Sequence, residues 1–400
     1  MGRSRRYLTV MAGGLALAGL SLSAVNLTVD PYAVFPSIHR KDLDPFRRNE
    51  SRTAKASRLA AGGWDGLILG SSRAVVAFDP GSPHWGERVV FNGGLKGTNL
   101  FEVRRVYDHA RRHNRLRRVL LTVDLHAMGA ERGTSADFDD SLFRTDLDPV
   151  DYRLRHLLGW SPTKEARDVW RESRAGGEPG SRVEIDGFRR FAGGIPRTFD
   201  RFVRVLRRDF FVNPETFRDF TYDPTRLDEV RAVLRGCRED GTAVTVLVPP
   251  VHPLMLEGIR LMGLEGAFER MKRDLVAAAA EDGPEGTEVF DATGYGGDLA
   301  EPVPLEGEAE FRWFLDASHA NAAFGERVLA RVLGKAAADP AVPVARLDAG
   351  NLEAHFAAFR EEGAAWRAAH FDLVARLEAV HREAVAGRAS GGTGETDEGE

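Results

Sequence analysis

Gly66-Leu67-Ile68-Leu69-Gly70-Ser71-Ser72-Arg73 is the stretch that decides how this chain folds. Three consecutive aliphatic residues suit a short strand buried on both faces, and the glycine that ends them permits a sharp turn. Serine is a favoured residue where a helix begins. The run therefore reads as a strand feeding a helix, the first half of a βα unit, with a serine hydroxyl left at the strand's carboxyl end.

The same pattern recurs along the chain that follows. Arg88–Asn92, Arg118–Asp124, Ala243–Pro249 and Glu288–Asp291 are four more strand-like runs, and helical patterns lie at about 99–114, 225–239, 257–282 and 320–336. Short strands alternating with helices predict an α/β core with a five-stranded parallel sheet over 61–336. Residues 129–225 show no clear strand, two aromatic-rich helical pieces and a glycine-rich patch at 176–180, so they read as a helical insertion forming a cap or flank. Over 337–390, Leu352, Phe356, Phe359, Trp366, Phe371, Val374 and Leu377 recur at helical spacing and predict one or two docked helices. The acidic, glycine-rich 391–400 reads as a disordered tail.

Toward the amino terminus, Arg3, Arg5 and Arg6 lie in a short tail, 1–6, followed by an uncharged run over 7–29 rich in Leu, Ala, Gly and Val. About 20 apolar residues span a bilayer, so the run is long enough for a transmembrane anchor. Ser21-Leu22-Ser23 offers the small residues a signal peptidase needs, but the run exceeds the roughly 7–15 apolar residues of a signal peptide, which favours an uncleaved anchor. The arginines before it place the amino terminus in the cytoplasm and the main domain, after a mixed-charge linker at 30–60, outside the membrane. The expected location is the cytoplasmic membrane, single-pass, with a periplasmic domain and the lipid bilayer as one partner.

Composition narrows the chemistry. The chain is 43% hydrophobic and 29% charged, the balance of a folded protein. With 55 Lys and Arg against 60 Asp and Glu, it has no basic excess to attract nucleic acid. The single cysteine, Cys237, excludes an internal disulfide, a CxxC pair and a multi-cysteine metal site. Asp124, His126, His252 and His319 lack the tight spacing of a zinc motif, so no metal and no other cofactor is expected.

In a doubly wound sheet, ligands bind beyond the carboxyl ends of the strands. Three blocks fall there. Gly70-Ser71-Ser72-Arg73 follows the first strand, and Asn92-Gly93-Gly94-Leu95-Lys96-Gly97, after the second, brings backbone N–H groups toward the crevice. Asp316-Ala317-Ser318-His319 lies just before the last core helix, where an aspartate and a histidine three apart on a helical turn would allow the carboxylate to orient the imidazole toward a serine. Each also has a plainer explanation: a helix cap, a flexible turn and a surface histidine.

Together the three blocks resemble the SGNH, or GDSL, serine hydrolases, over roughly residues 60–335. The resemblance implies a three-layer flavodoxin-like fold with a five-stranded parallel sheet. It makes Ser72 the nucleophile, His319 and Asp316 its triad partners, and the N–H groups of Ser72 and Gly97 the oxyanion donors. The family's third block ends in Gly-x-Asn-Asp and donates from its asparagine, whereas here the third strand runs into Val123-Asp124-Leu125-His126. A membrane-anchored subgroup shares that aspartate, an Asp-Pro-Tyr segment (here Asp30-Pro31-Tyr32) and Leu-Gly-Ser-Ser-Arg. It is similar to the D-alanyl transfer protein of teichoic acid synthesis and to acetyltransferase-like proteins of alginate and cellulose modification. By resemblance the chain is an acyl-ester transferase or esterase acting on an envelope polysaccharide, with a membrane-bound O-acyltransferase as a further partner. The alternative is a non-catalytic scaffold that binds the polysaccharide or the acyltransferase. Arg73, Asn92, Asp124 and His252 are the candidate substrate contacts, with His126 a weaker one, and Arg73 with Asp124 also fits a structural ion pair.

Overall fold

A computed structural model describes residues 2–36, 40–175, 181–191, 196–334, 336–337 and 339–389. They fold as an α/β protein in two compact units, one of Met1–Trp64, Arg105–Arg115 and Ser135–Ala192, the other of Asp65–Arg104, Leu116–Thr134 and Gly193–Glu400.

The second unit holds the sheet. Its strands are β1 (Gly66–Leu69), β2 (Val90–Asn92), β3 (Arg118–Thr122), β4 (Ala243–Val248), β5 (Glu288–Asp291) and β6 (Ala345–Leu347). They lie in the order β2-β1-β3-β4-β5-β6, with every pair parallel except β5 and β6. The five strands legible in the sequence are present. The sixth, antiparallel edge strand is a correction to the five-stranded expectation. Its three residues, one of them the exposed Arg346, have neither the length nor the β-branched content that marks a strand.

The chain leaves β1 for β2 on one side and returns for β3 on the other. The loops after β1 and β3 diverge there, which makes the crevice between them the switch point of the sheet. Gly70 is required at this spot. Its φ is +145°, and a Cβ would stand 1.8 Å from Thr122 Oγ1.

In chain order the helices are α1 (Gly2–Val29), α2 (Arg52–Ala60), α3 (Ser72–Ala77), α4 (Leu100–His113), α5 (Pro149–Leu158), α6 (Trp160–Ala175), α7 (Phe199–Val205), α8 (Leu227–Asp240), α9 (Pro253–Leu261), α10 (Glu265–Asp282), α11 (Ala322–Val332), α12 (Leu352–Ala369) and α13 (Phe371–Ala389). Helix α11 crosses α3 closely enough that only glycine fits at 325, since a Cβ there would meet the Ala77 carbonyl oxygen at 1.7 Å. That neighbour is backbone and cannot swing aside. Gly325→Ala is therefore expected to cost about 1–3 kcal/mol as an overpacked contact. The measurement is a urea midpoint lowered at constant m, and an unchanged midpoint would show that the two helices separate freely.

The two C-terminal helices bury Phe356, Trp366 and Leu377 of the apolar set, whereas Phe371, at the start of α13, is 73% exposed. Sequence patterning did not show the buried polar cluster beneath them. Lys272 Nζ of α10 lies 2.7 Å from Asp291 Oδ2 at the end of β5, and His355 Nε2 of α12 lies 2.9 Å from the same oxygen. Burial works to raise the Asp291 carboxyl, and Lys272 with His355 overcomes it, holding the group well below the usual carboxylate range.

In the first unit, Ser4–Val29 of α1 is long and apolar enough to cross a membrane, and none of its most apolar window is buried. The stretch 30–60 is more than a linker. Asp30 accepts from the Val34 and Phe35 N–H groups at 2.8 and 2.9 Å, and α2 is capped by Ser51, whose Oγ accepts from Ala54 N at 3.1 Å. The supposed insertion at 129–225 divides between the units and contains a small hairpin, Ser181–Val183 with Arg189–Phe191. Strands reading Ser-Arg-Val and Arg-Arg-Phe lack apolar alternation, which is why the sequence hides them. The patch at 176–180 and the tail at 391–400 lie outside the described residues.

Candidate active site

Ser72 is the first residue of α3, and Ser71 caps that helix by accepting from the Arg73 N–H at 3.2 Å. A hydroxyl in this position stands at the carboxyl end of β1, at the switch point. Ser72 Oγ lies 2.9 Å from His319 Nε2. On the far side of the ring, His319 Nδ1 lies 2.9 and 3.0 Å from the two oxygens of Asp316. A carboxylate there accepts a hydrogen bond from Nδ1–H and keeps the proton on that nitrogen, so Nε2 is left as the acceptor for the serine hydroxyl.

Asp316 and His319 do not share a helical turn, which corrects the expected geometry. They face each other across a tight ribbon, Phe314–Asp316 paired antiparallel with His319–Ala320. The cause is the carboxylate itself. Asp316 Oδ1 accepts from the backbone N–H of Ser318 at 2.8 Å and of His319 at 3.0 Å, bending the chain before α11 starts at its own cap, Asn321. Neighbouring segments pin the bend, with Ala317 N donating to Phe202 O and His252 N to Ala317 O. Burial works to raise the Asp316 carboxyl, but His319 and the two N–H groups hold it below the usual carboxylate range, so it is ionised at neutral pH.

Arg73 ties the serine to the histidine from behind. Its guanidinium is buried, pairs with Asp124 through Nη1, and donates through Nε to Ser318 O and Oγ at 3.1 Å and through Nη2 to Ser318 Oγ at 3.0 Å. Burial opposes ionisation of Asp124, and Arg73 foremost reverses this, holding the carboxyl below its ordinary value. The structure thus gives Arg73 and Asp124 to each other rather than to the crevice, the second of the two roles the sequence allowed.

Two other candidate substrate contacts are internal braces. Asn92 is fully buried and staples α3, its amide donating to Ala74 O at 2.8 Å and Phe78 O at 3.0 Å while its carbonyl accepts from Gly94 N at 3.0 Å. His252 is buried with both ring nitrogens bonded, Nε2 to Glu301 O at 2.9 Å and Nδ1 from Leu254 N at 3.1 Å, and burial pushes its imidazole down to about 4. A proline-flanked histidine after a strand reads as a crevice residue, and here it is the cap of α9. His126 is buried with its ring edge-on to Phe210, and desolvation lowers it to about 3.

The loop carrying Gly97 is fastened beside the β1 turn by Gly93 N to Ile68 O at 2.8 Å and Leu95 N to Gly70 O at 2.9 Å. Gly97 itself has a φ of +60°. Among the described residues, neither the Gly97 nor the Ser72 N–H is committed to an internal hydrogen bond. Ser318 is the site residue that pattern reading missed, and its only sequence signal is its place next to His319. No group of three or more metal-ligating side chains occurs among the described residues. The constellation is therefore a hydroxyl, a base and an orienting carboxylate, which is the minimum for nucleophilic acyl transfer. No protein-family model matches this chain, and no curated protein matches it.

Proposed function

We propose that the protein is a membrane-anchored SGNH-like serine hydrolase that transfers or hydrolyses an acyl ester on an envelope polysaccharide outside the cytoplasmic membrane. One observation carries this: the unbroken relay from Ser72 Oγ through His319 to Asp316, each step at 2.9 to 3.0 Å. The strand order β2-β1-β3-β4-β5 agrees with an SGNH sheet, and α1 agrees with an anchor.

In this mechanism His319 Nε2 takes the Ser72 proton as Oγ attacks the acyl carbon. The N–H groups of Ser72 and Gly97 hold the tetrahedral oxyanion, and His319 returns the proton to the leaving oxygen. A sugar hydroxyl or water, deprotonated by His319, then releases the acyl group from Ser72. The acyl supply would come from a membrane-bound O-acyltransferase. The hole has two donors, since Asp124 is an ionised acceptor locked to Arg73. A missing third donor typically costs about 100- to 1,000-fold in rate.

That deficit favours a second reading, a scaffold that binds the polysaccharide or the acyltransferase without turnover. The test is the full chain in detergent with a fluorophosphonate probe and p-nitrophenyl acetate. Labelling and turnover that disappear in both Ser72→Ala and His319→Ala support the enzyme. Equal behaviour of all three folded proteins moves the assignment to the scaffold.

A further inference from the structure

The first unit carries an apolar surface that the fold does not cover, and its place against α1 names what covers it. Helix α5 exposes an apolar stripe beside charged side chains, Asp151, Arg153 and Arg155, instead of burying that stripe. Its inward side presents Tyr152 and His156, with Tyr152 Oη 3.4 Å from Ser57 Oγ and the two rings 4.5 Å apart. Its outward stripe is Val150, Leu154 and Leu158, 64%, 47% and 47% exposed, followed by Trp160 at 76%. Soluble helices place their apolar stripe inward, and a contiguous exposed one marks a contact surface.

The carboxyl end of α5 is bonded to α1. Asn26 Nδ2 donates to Leu157 O at 3.0 Å and to Gly159 O at 3.3 Å. One side of α1 from Gly19 to Val29 turns toward this neighbour. A Cβ at Gly19 would lie 3.9 Å from Leu158 Cδ2, and Val29 packs with Ala166 and Val169 of α6.

The lengths then fix the depth. The apolar helix Ser4–Val29 has 26 residues, or about 39 Å at about 1.5 Å per residue, against a hydrocarbon core of about 30 Å. Even if the whole excess of about 9 Å protruded at Val29, Gly19 would still lie inside the core, because it sits about 15 Å from that end. The Leu158 side chain, against Gly19, reaches about 6 Å below the core boundary in that limit, while the Leu157 and Gly159 carbonyls on either side bond Asn26 nearer the surface. Trp160 follows near Asn26, where the headgroup region suits an exposed indole.

We propose that the outward face of α5 with Trp160 is a second membrane contact, sunk into the acyl-chain and headgroup boundary beside the anchor, so that the first unit rests on the lipid surface instead of hanging from a flexible stalk. This rests on α1 crossing the membrane. The test keeps the two claims separate.

Cys237 is buried, so the native chain should take no thiol label. Full-length Leu154→Cys, Leu158→Cys and Leu15→Cys are each labelled with an environment-sensitive nitrobenzoxadiazole and reconstituted in phosphatidylethanolamine–phosphatidylglycerol vesicles containing nitroxide lipids. Leu15, exposed on α1, reports on the anchor, and the free dye in buffer on water. The proposal expects labels at 154 and 158 to be blue-shifted and quenched by a shallow nitroxide and the label at 15 by a deep one. Quenching at 15 without quenching at 154 and 158 overturns the second contact and leaves the anchor standing. No quenching at any position overturns both. Disulfide-linked dimers through Leu154→Cys without lipid quenching would assign the face to a second copy of the chain and overturn the lipid.

Discussion

Replacing Asp316 by asparagine is expected to lower kcat/KM on an alkyl acetate ester about 10,000-fold while leaving the protein folded. Asparagine keeps a carbonyl oxygen that can accept from the Ser318 and His319 N–H groups, so the ribbon that Asp316 bends is retained. Its amide, however, is a donor, and pointed at His319 Nδ1 it selects the tautomer with the proton on Nε2. That nitrogen then has no lone pair for the Ser72 hydroxyl 2.9 Å away. An alkyl ester is the proper substrate because its poor leaving group needs the proton that His319 returns, whereas p-nitrophenolate does not. Circular dichroism and the urea midpoint should match the native protein. A folded Asp316→Asn that retains activity within tenfold would show that the relay is not catalytic.

How much of this was legible depends on the range over which each feature acts. The five parallel strands are short apolar runs buried on both faces, and burial writes itself into local composition, as in Leu67-Ile68-Leu69. The triad pattern was legible because Asp316 and His319 are close in sequence and the ribbon joining them is local. Their geometry was not, because a carboxylate three residues before a histidine fits a helical turn as well as a ribbon, and only its two backbone bonds decide. Pairings between distant residues leave no local trace. Lys272, Asp291 and His355 come from three separate segments, and nothing near any of them announces the others. His252 misled for the same reason. A histidine beyond a strand looks available until the Glu301 backbone carbonyl, 49 residues later, is seen to accept a hydrogen bond from its Nε2–H.

The buried Arg73–Asp124 pair should be a stability element, and Asp124→Leu is the variant that exposes it. Among the described residues, removing Asp124 leaves the buried Arg73 guanidinium hydrogen-bonded to Ser318 and over the Phe210 ring with no carboxylate against it, and an uncompensated buried charge typically costs about 3–5 kcal/mol. Removing both charges in Arg73→Met with Asp124→Leu should recover most of that loss, because the desolvation cost then disappears with the charges. The pH dependence has a definite sign. The Asp124 carboxyl titrates lower in the folded chain than unfolded. Its contribution is therefore complete above the unfolded value of about 3.9 and is lost as pH falls from there through the folded value. Urea midpoints between neutral pH and about pH 3 should fall more steeply for the native protein than for Asp124→Leu, and parallel curves would remove the pair from the stability account. The kinetic consequence separates clamp from substrate contact. Arg73 holds Ser318, the residue before His319, so Asp124→Leu should lower kcat by loosening the base while KM for a small neutral ester stays near its native value. A rise in KM at unchanged kcat would instead return Asp124 to the crevice as a binding residue.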